Sequence, residues 1–453
     1  MLIQFSVSNF RSFRERQTLN LAASNHDKTL PDNCITTDDL PGLTGKRWVK
    51  GVALYGANAS GKTTVIEALK ALAELVGTSA KTTDPKELIQ QIDPFVLCSG
   101  QEEVPTAFAV VFVADGIRFE YRVAATRERI WHESLRAFPK AKEQLWFCRD
   151  WNSDSGNYAW SPERPSGFRR NTDDERRTLS NVLFLSKAIA EGRSELEPVF
   201  RWFKEQLLFL DLSPRGQLGA EITLEQIQKK SPLHDQILRM LRHSDLGVTG
   251  VRAVEKYRTQ KELDTLEKIT TVLPFSPELR EKILHNRQFE PELIHRGSNE
   301  ADLPLPWKNE SAGTHRFFGL AGPWLDILSN GHTICIDELE ASMHPLMVRE
   351  LLRLIFSNTE NPKGAQIIFT THNPLLLDPT LLRRDQIWFT DKDTEGAGHL
   401  YPLTDYQPRK GESLVRGYLS GRYGAVPFVP DGLLGSFPTR ETAASSEKAG
   451  RDE

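Results

Sequence analysis

The stretch "GANASGKT", residues 56–63, restricts the fold more than any other feature of the chain. Gly56 and Gly61-Lys62-Thr63 match G-x-x-x-x-G-K-[ST], and the context agrees. The apolar run "WVKGVALYG" leads into the motif and the helical pattern "TTVIEALKALAELV" leaves it. A strand, a glycine-rich turn and a helix in that order wrap backbone N–H groups and a helix N-terminus around a phosphate. Gly56, Asn58, Ser60, Gly61, Lys62, Thr63 and Thr64 are therefore expected to cradle a nucleoside triphosphate. Lys62 is expected to reach the β and γ phosphates, and the Thr63 hydroxyl to ligand Mg²⁺.

A second element stands far down the chain. "TICIDE" is a short apolar strand ending in Asp337 and Glu338. One carboxylate in such a pair holds the metal and the other polarises the attacking water, which assigns Asp337 to Mg²⁺ and Glu338 to the base. His372 follows another apolar strand, "AQIIFTT". The order of phosphate loop, acid pair and strand-plus-histidine places all three at the carboxyl edge of a mainly parallel sheet. His372 is expected to contact the γ phosphate or the catalytic water. The fold class is α/β, a P-loop nucleotide hydrolase with ATP and Mg²⁺ as cofactors.

The long gap between these motifs has its own texture. "LIQFSVSNF" and "QTLNLAA" read as strands, and "TAFAVVFVA" with "RFEYRVAA" reads as a hairpin turning at Asp115-Gly116. Residues 138–172 are rich in aromatics, Gly, Pro, Ser and Arg and read as a loop-rich connection. Helical patterns follow from residue 173 through "ELEPVFRWFKEQLLFL", then at 223–243, 256–268 and 277–289. No heptad pattern lasts three cycles, so a compact helical insertion is expected, not a coiled-coil arm. Nucleotide-core patterns resume near residue 311. The expected division is 1–136 and 305–430 for the two parts of the core, 137–304 for the insertion and 438–453 for a disordered tail.

The motifs together resemble the ABC-type ATPase head in the branch shared by the RecF, Rad50 and SMC proteins. "IDELEASMHP" resembles its acidic motif running into the following loop, "TTHNPLLL" its switch histidine, and "VSNFRSF" its opening. "NESAGTHRFFGL" is similar to the signature motif, with Ser311 and Gly313 at the matching positions. It lacks the double glycine of transporter ATPases. A closer similarity, carried by "GYLSGRYGAVPFV", is to AAA-family ATPases of prokaryotic abortive-infection and anti-phage systems, of the AbiL, RloA or AriA-like kind. The resemblance implies a homodimer or higher homo-oligomer burying ATP between heads, with Ser311 of one chain on the phosphate held by Lys62 of the other. It also implies a separately encoded effector protein, and DNA or a phage-derived component as trigger. The expected glutamine of this site is Gln91 in "LIQQIDPF", with Gln90 beside it.

Other readings remain open at this level. A RecF-like ATPase that senses DNA structure would share the same motifs. A self-contained nuclease would draw on Arg280 and His285 in "REKILHN", a spacing similar to the Arg-x4-His element of small helical ribonucleases. Little chain follows His372, which leaves no expected room for a fused metal-dependent nuclease domain. A net charge of −4 argues against an overall basic coat. No run of 18 apolar residues is present, so no membrane span is expected. The four cysteines make no CxxC pair and read as reduced thiols of a cytoplasmic protein.

Overall fold

The computed structural model describes residues 1–163, 167–169, 171–210, 218–256, 288–298, 301–409 and 411–427. Strands β1 (Leu2–Ser8) and β2 (Gln17–Asn20) pair across the polar turn at Arg11–Arg16. β3 (Cys34–Thr36) and β4 (Arg47–Val49) form a small ribbon, after which β5 (Gly51–Gly56) runs into helix α1 (Lys62–Thr78). The expected hairpin is β6 (Thr106–Ala114) and β7 (Ile117–Ala125), with Asp115 and Gly116 both at positive φ.

The chain then departs from its sequence-level reading. After β8 (Ile130–Phe138), the stretch expected as loop holds two more strands, β9 (Gln144–Asn152) and β10 (Asn157–Ser161). They extend one antiparallel sheet in the order β10-β9-β8-β7-β6-β1-β2. β8 crosses the expected boundary at residue 136, so no hydrogen-bonded break separates core from insertion there. The physical reason lies in the missing period of two: β9 buries Trp146, Phe147, Cys148 and Arg149 in succession and β8 buries Glu133, Ser134 and Leu135, so neither reads as an alternating strand.

Three short helices follow, α2 (Thr172–Arg177), α3 (Phe184–Ala190) and α4 (Glu197–Arg201). The "LLFL" at the end of the helical pattern is instead strand β11 (Leu207–Leu210), drawn into parallel pairing with β15 (Thr333–Ile336). Helices α5 (Leu218–Gln228) and α6 (His234–Arg242) precede an unanticipated antiparallel sheet of β12 (Val248–Lys256), β13 (Gln288–Arg296) and β14 (Asp302–Pro306). The helical patterns at 256–268 and 277–289 fall almost wholly outside the described residues, as do Arg280, His285 and the tail 438–453.

The remaining elements complete the core: α7 (Ala312–Asn330), α8 (Pro345–Phe356), β16 (Gln366–Thr370), β17 (Ile387–Lys392), β18 (Gly398–Pro402) and α9 (Leu414–Leu419). The central sheet runs β11-β15-β16-β5-β17-β18, parallel except for the last strand. β5, β15 and β16 are buried along their whole length, which explains their continuous apolar sequences. Residues alternate between two cores. Val52, Leu54 and Ile368 face α1 and the antiparallel sheet, while Ala53, Ile336 and Phe369 face α7 and α8. Helix α1 is thus clamped between two sheets, which fixes the phosphate loop at its N-terminus. Among the described residues no helix is long and apolar enough to cross a membrane.

Candidate nucleotide site

Register alone brings the sequence motifs to one edge. Ile336 lies beside Phe369, and Thr370 lies beside Leu54, so the residues just past β15, β16 and β5 share the carboxyl end of the sheet. β16 sits between the other two strands, which puts Thr370 between the acidic pair and the phosphate loop.

The loop itself is tightly built. Gly61 has φ +109, and a Cβ there would press on Phe13 and Ser12 of the β1–β2 turn, so glycine is required. Lys62 is buried, and its Nζ donates to the carbonyls of Gly56 (3.0 Å) and Ala57 (2.8 Å). Burial lowers its pKa below the ordinary lysine value, while the carboxylates of Asp337, Glu338 and Glu340 pull in the opposite direction. Ser60 faces inward, its hydroxyl 2.6 Å from that of Thr390 on β17. The Thr64 hydroxyl lies 2.7 Å from that of Ser12, so its side chain ties the loop to the β1–β2 turn. Asn58 is exposed on the loop.

The Thr63 hydroxyl donates to Asp337 at 3.0 and 3.1 Å, joining the two motifs directly. Thr370 completes a hub that sequence reasoning did not find. Its hydroxyl donates to Asp337 Oδ1 at 2.6 Å and accepts from the Glu338 backbone N–H at 2.7 Å. On the other side, Arg316 of α7 donates to the Glu338 carbonyl at 2.6 Å. Glu338 is held with φ +50, a left-handed conformation that costs a non-glycine residue about 1–2 kcal/mol. Both of its peptide groups are pinned, and its side chain is exposed.

His372 follows β16, with an exposed side chain and a backbone N–H that donates to Glu340 Oε1 at 2.6 Å. Glu340, the third acid of "IDELE", thereby orders the histidine loop. Ser311 caps α7: its hydroxyl accepts from the Thr314 N–H at 3.0 Å and pairs with the Thr314 hydroxyl, with no bond to the phosphate loop. Gly313 lies against the Ser342 carbonyl, which sets the start of α7 beside the loop after the acidic pair.

Gln91 is a correction. With Gln90 it lines a cleft beside Leu75 and Thr78, at the last turn of α1. A helix rises about 1.5 Å per residue, so this cleft lies roughly 20 Å along α1 from Thr63. Gln91 therefore does not join the metal site in this conformation. The segment after it returns to the β1–β2 turn, the Asp93 carbonyl accepting from the Arg11 N–H and Asn9 Oδ1 accepting from the Phe95 N–H.

A phosphate loop on a buried parallel strand, joined through a threonine to an acid pair two strands away, defines a P-loop ATPase. The chain belongs to the family described as "AAA domain, putative AbiEii toxin, Type IV TA system", whose profile matches residues 52–378. It is an ATP-binding protein and an ATPase. No curated protein matches it. Among solved structures it is similar to the SMC head domain from Thermotoga maritima, with 13% identity over 88% of this chain and 98% of that one and a TM-score of 0.37. It is also similar to an SMC head bound to the C-winged helix domain of ScpA, with 13% identity, 88% and 97% coverage and a TM-score of 0.39.

Proposed function

We propose that the protein is a Mg²⁺-dependent ATPase whose turnover opens a dimer of facing heads or releases a held partner. In this reading it is a sensor and regulator of a separately encoded toxic effector in phage defence. The observation that carries the chemistry is the Thr63–Asp337–Thr370–Glu338 cluster. Its donors suit Mg²⁺, since the Thr63 hydroxyl and the Asp337 carboxylate are hard oxygens on one edge of the loop. Bound there, the cation would neutralise charge on the β and γ phosphates. Lys62 binds the phosphates once its Nζ leaves the Gly56 and Ala57 carbonyls. Glu338 accepts a proton from the attacking water, with its backbone fixed by Thr370 and Arg316. His372 orients the same water or the γ phosphate.

The outward Ser311 supports the two-chain reading. It stands exposed at a helix start and bonds only within its own turn, so a second chain's γ phosphate can take up that N-terminus. The family description supports the setting of toxin control.

The test uses Glu338→Gln protein purified from its own host with Mg²⁺-ATP. ATP binding should persist while turnover falls by about 10²–10⁴-fold. Native mass spectrometry should then find a homo-oligomer retaining a stoichiometric second protein. A homodimer carrying only DNA would contradict the regulator reading and favour a DNA-structure sensor. Wild-type turnover in the variant would remove Glu338 as base.

A further inference from the structure

The antiparallel sheet carries a group of metal-type donors that the nucleotide chemistry does not use. Its origin is the local pairing of β8 with β9, in which Glu133 stands opposite Arg149. Glu133 and Arg149 point inward as a fully buried pair, Nη2 to Oε2 at 2.8 Å, and Glu133 also accepts from the Tyr121 hydroxyl and from the N–H groups of Phe184 and Leu185. Such a buried charge pair fixes register, because a slip of one residue would bury the wrong face. The flanking residues of both strands must then project from the opposite face. They are His132 and Ser134 on β8, and Cys148 and Asp150 on β9. His132 lies directly across from Asp150, and Ser134 across from Cys148.

The donors converge. His132 Nδ1 is 2.7 Å from Asp150 Oδ1, and the Cys148 thiol donates to Asp150 Oδ2 at 3.3 Å. One ligand atom from each of the three residues falls within 4.8 Å of the others. The far nitrogen of the imidazole, Nε2, is 2.9 Å from the Ser134 hydroxyl. That contact orients the ring and leaves Nδ1 facing the other donors, as second partners of metal-bound histidines do. Cys148 is nearly covered, whereas the Asp150 side chain is 57% exposed, so the group reaches solvent at Asp150.

We propose that His132, Cys148 and Asp150 form a Zn²⁺ site with three protein ligands and a solvent-facing fourth position. Nitrogen, sulfur and carboxylate oxygen form a borderline-soft set that suits Zn²⁺ and Co²⁺ and discriminates against Mg²⁺. Tetrahedral bonds of about 2.0–2.3 Å set donor atoms roughly 3.3–3.6 Å apart, so side-chain shifts of about 1 Å complete the site. The Cys148 proton leaves to solvent, and thiolate, imidazole and carboxylate donate to the metal. The site differs in donors and in place from the phosphate loop, where Thr63 and Asp337 offer oxygen alone.

The experiment is a Co²⁺ titration of the full-length protein after removal of bound metals by chelation. One equivalent of Co²⁺ should give a thiolate-to-cobalt charge-transfer band, and stoichiometric Zn²⁺ should abolish it. Cys148→Ser should lose the band, while Cys98→Ser, at the exposed cysteine, should keep it. Asp150→Asn changes an exposed carboxylate with almost no change of shape, so the fold should survive; its Co²⁺ affinity should fall about tenfold or more. Absence of the band, its persistence in Cys148→Ser, or unchanged affinity in Asp150→Asn would each overturn the site.

Discussion

Asp337 is the residue on which both halves of the nucleotide site turn. Its carboxylate receives the Thr63 hydroxyl from the phosphate loop and the Thr370 hydroxyl from the neighbouring strand. Thr370 also holds the Glu338 backbone, so in the proposed mechanism it positions the metal ligand Asp337 and the base Glu338 together. Thr370→Val keeps shape and removes the hydroxyl. It should lower kcat about 10–100-fold and raise the Mg²⁺ concentration needed for half-maximal rate, with Thr370→Ser restoring most of both. A kcat loss without a change in Mg²⁺ dependence would assign Thr370 to the base alone. That Lys62, Thr63, Asp337 and Glu338 meet at one sheet edge was legible because each belongs to a short motif at the end of an apolar strand. Thr370 and Arg316 were not, since their roles exist only after β16 enters between β5 and β15 and α7 packs behind them. A polar threonine closing the apolar strand "IIFT" was the available signal. For Gln91, sequence adjacency to the core says nothing of where along α1 the side chain itself sits, which is beside Leu75 and Thr78.

At the scale of elements, strands with a continuous apolar run or a clean alternation, such as β5 or β6 and β7, were legible, and strands with neither were not. β5, β15 and β16 lie between two cores and read as continuous apolar runs. β9, "QLWFCRDWN", hides its pattern because an arginine occupies one of its inward positions. That arginine is tolerable only because Glu133 neutralises it. Arg149→Met leaves the Glu133 charge buried beside an apolar chain and should cost about 3–5 kcal/mol, read as a lower midpoint in urea unfolding. Loss of well under 1 kcal/mol would mean that water reaches Glu133. The insertion is joined to the signature helix just as closely. A Cβ at Gly219 of α5 would overlap the Gly319 carbonyl of α7, and the Thr223 hydroxyl donates to the Phe318 carbonyl at 2.8 Å. Gly219→Val should therefore push α7 away from its seat and slow ATP turnover through Ser311 and Arg316. Full stability together with unchanged turnover in this variant would uncouple the insertion from the site.

For the whole molecule, one chain brings Thr63, Asp337 and Glu338 together yet leaves Ser311 exposed. In the proposed assembly, catalysis is shared between two chains related by a two-fold axis, each lending Ser311 to the other's phosphate loop. The most direct measurement mixes two inactive proteins, Lys62→Ala and Ser311→Arg, and follows phosphate release. A heterodimer then contains one site built from an intact Lys62 and an intact Ser311, and a second site with both lesions. Random pairing predicts that the mixture recovers roughly a quarter of wild-type activity at equal total protein. A mixture as inactive as its components, although native mass spectrometry finds heterodimers, would contradict the shared site.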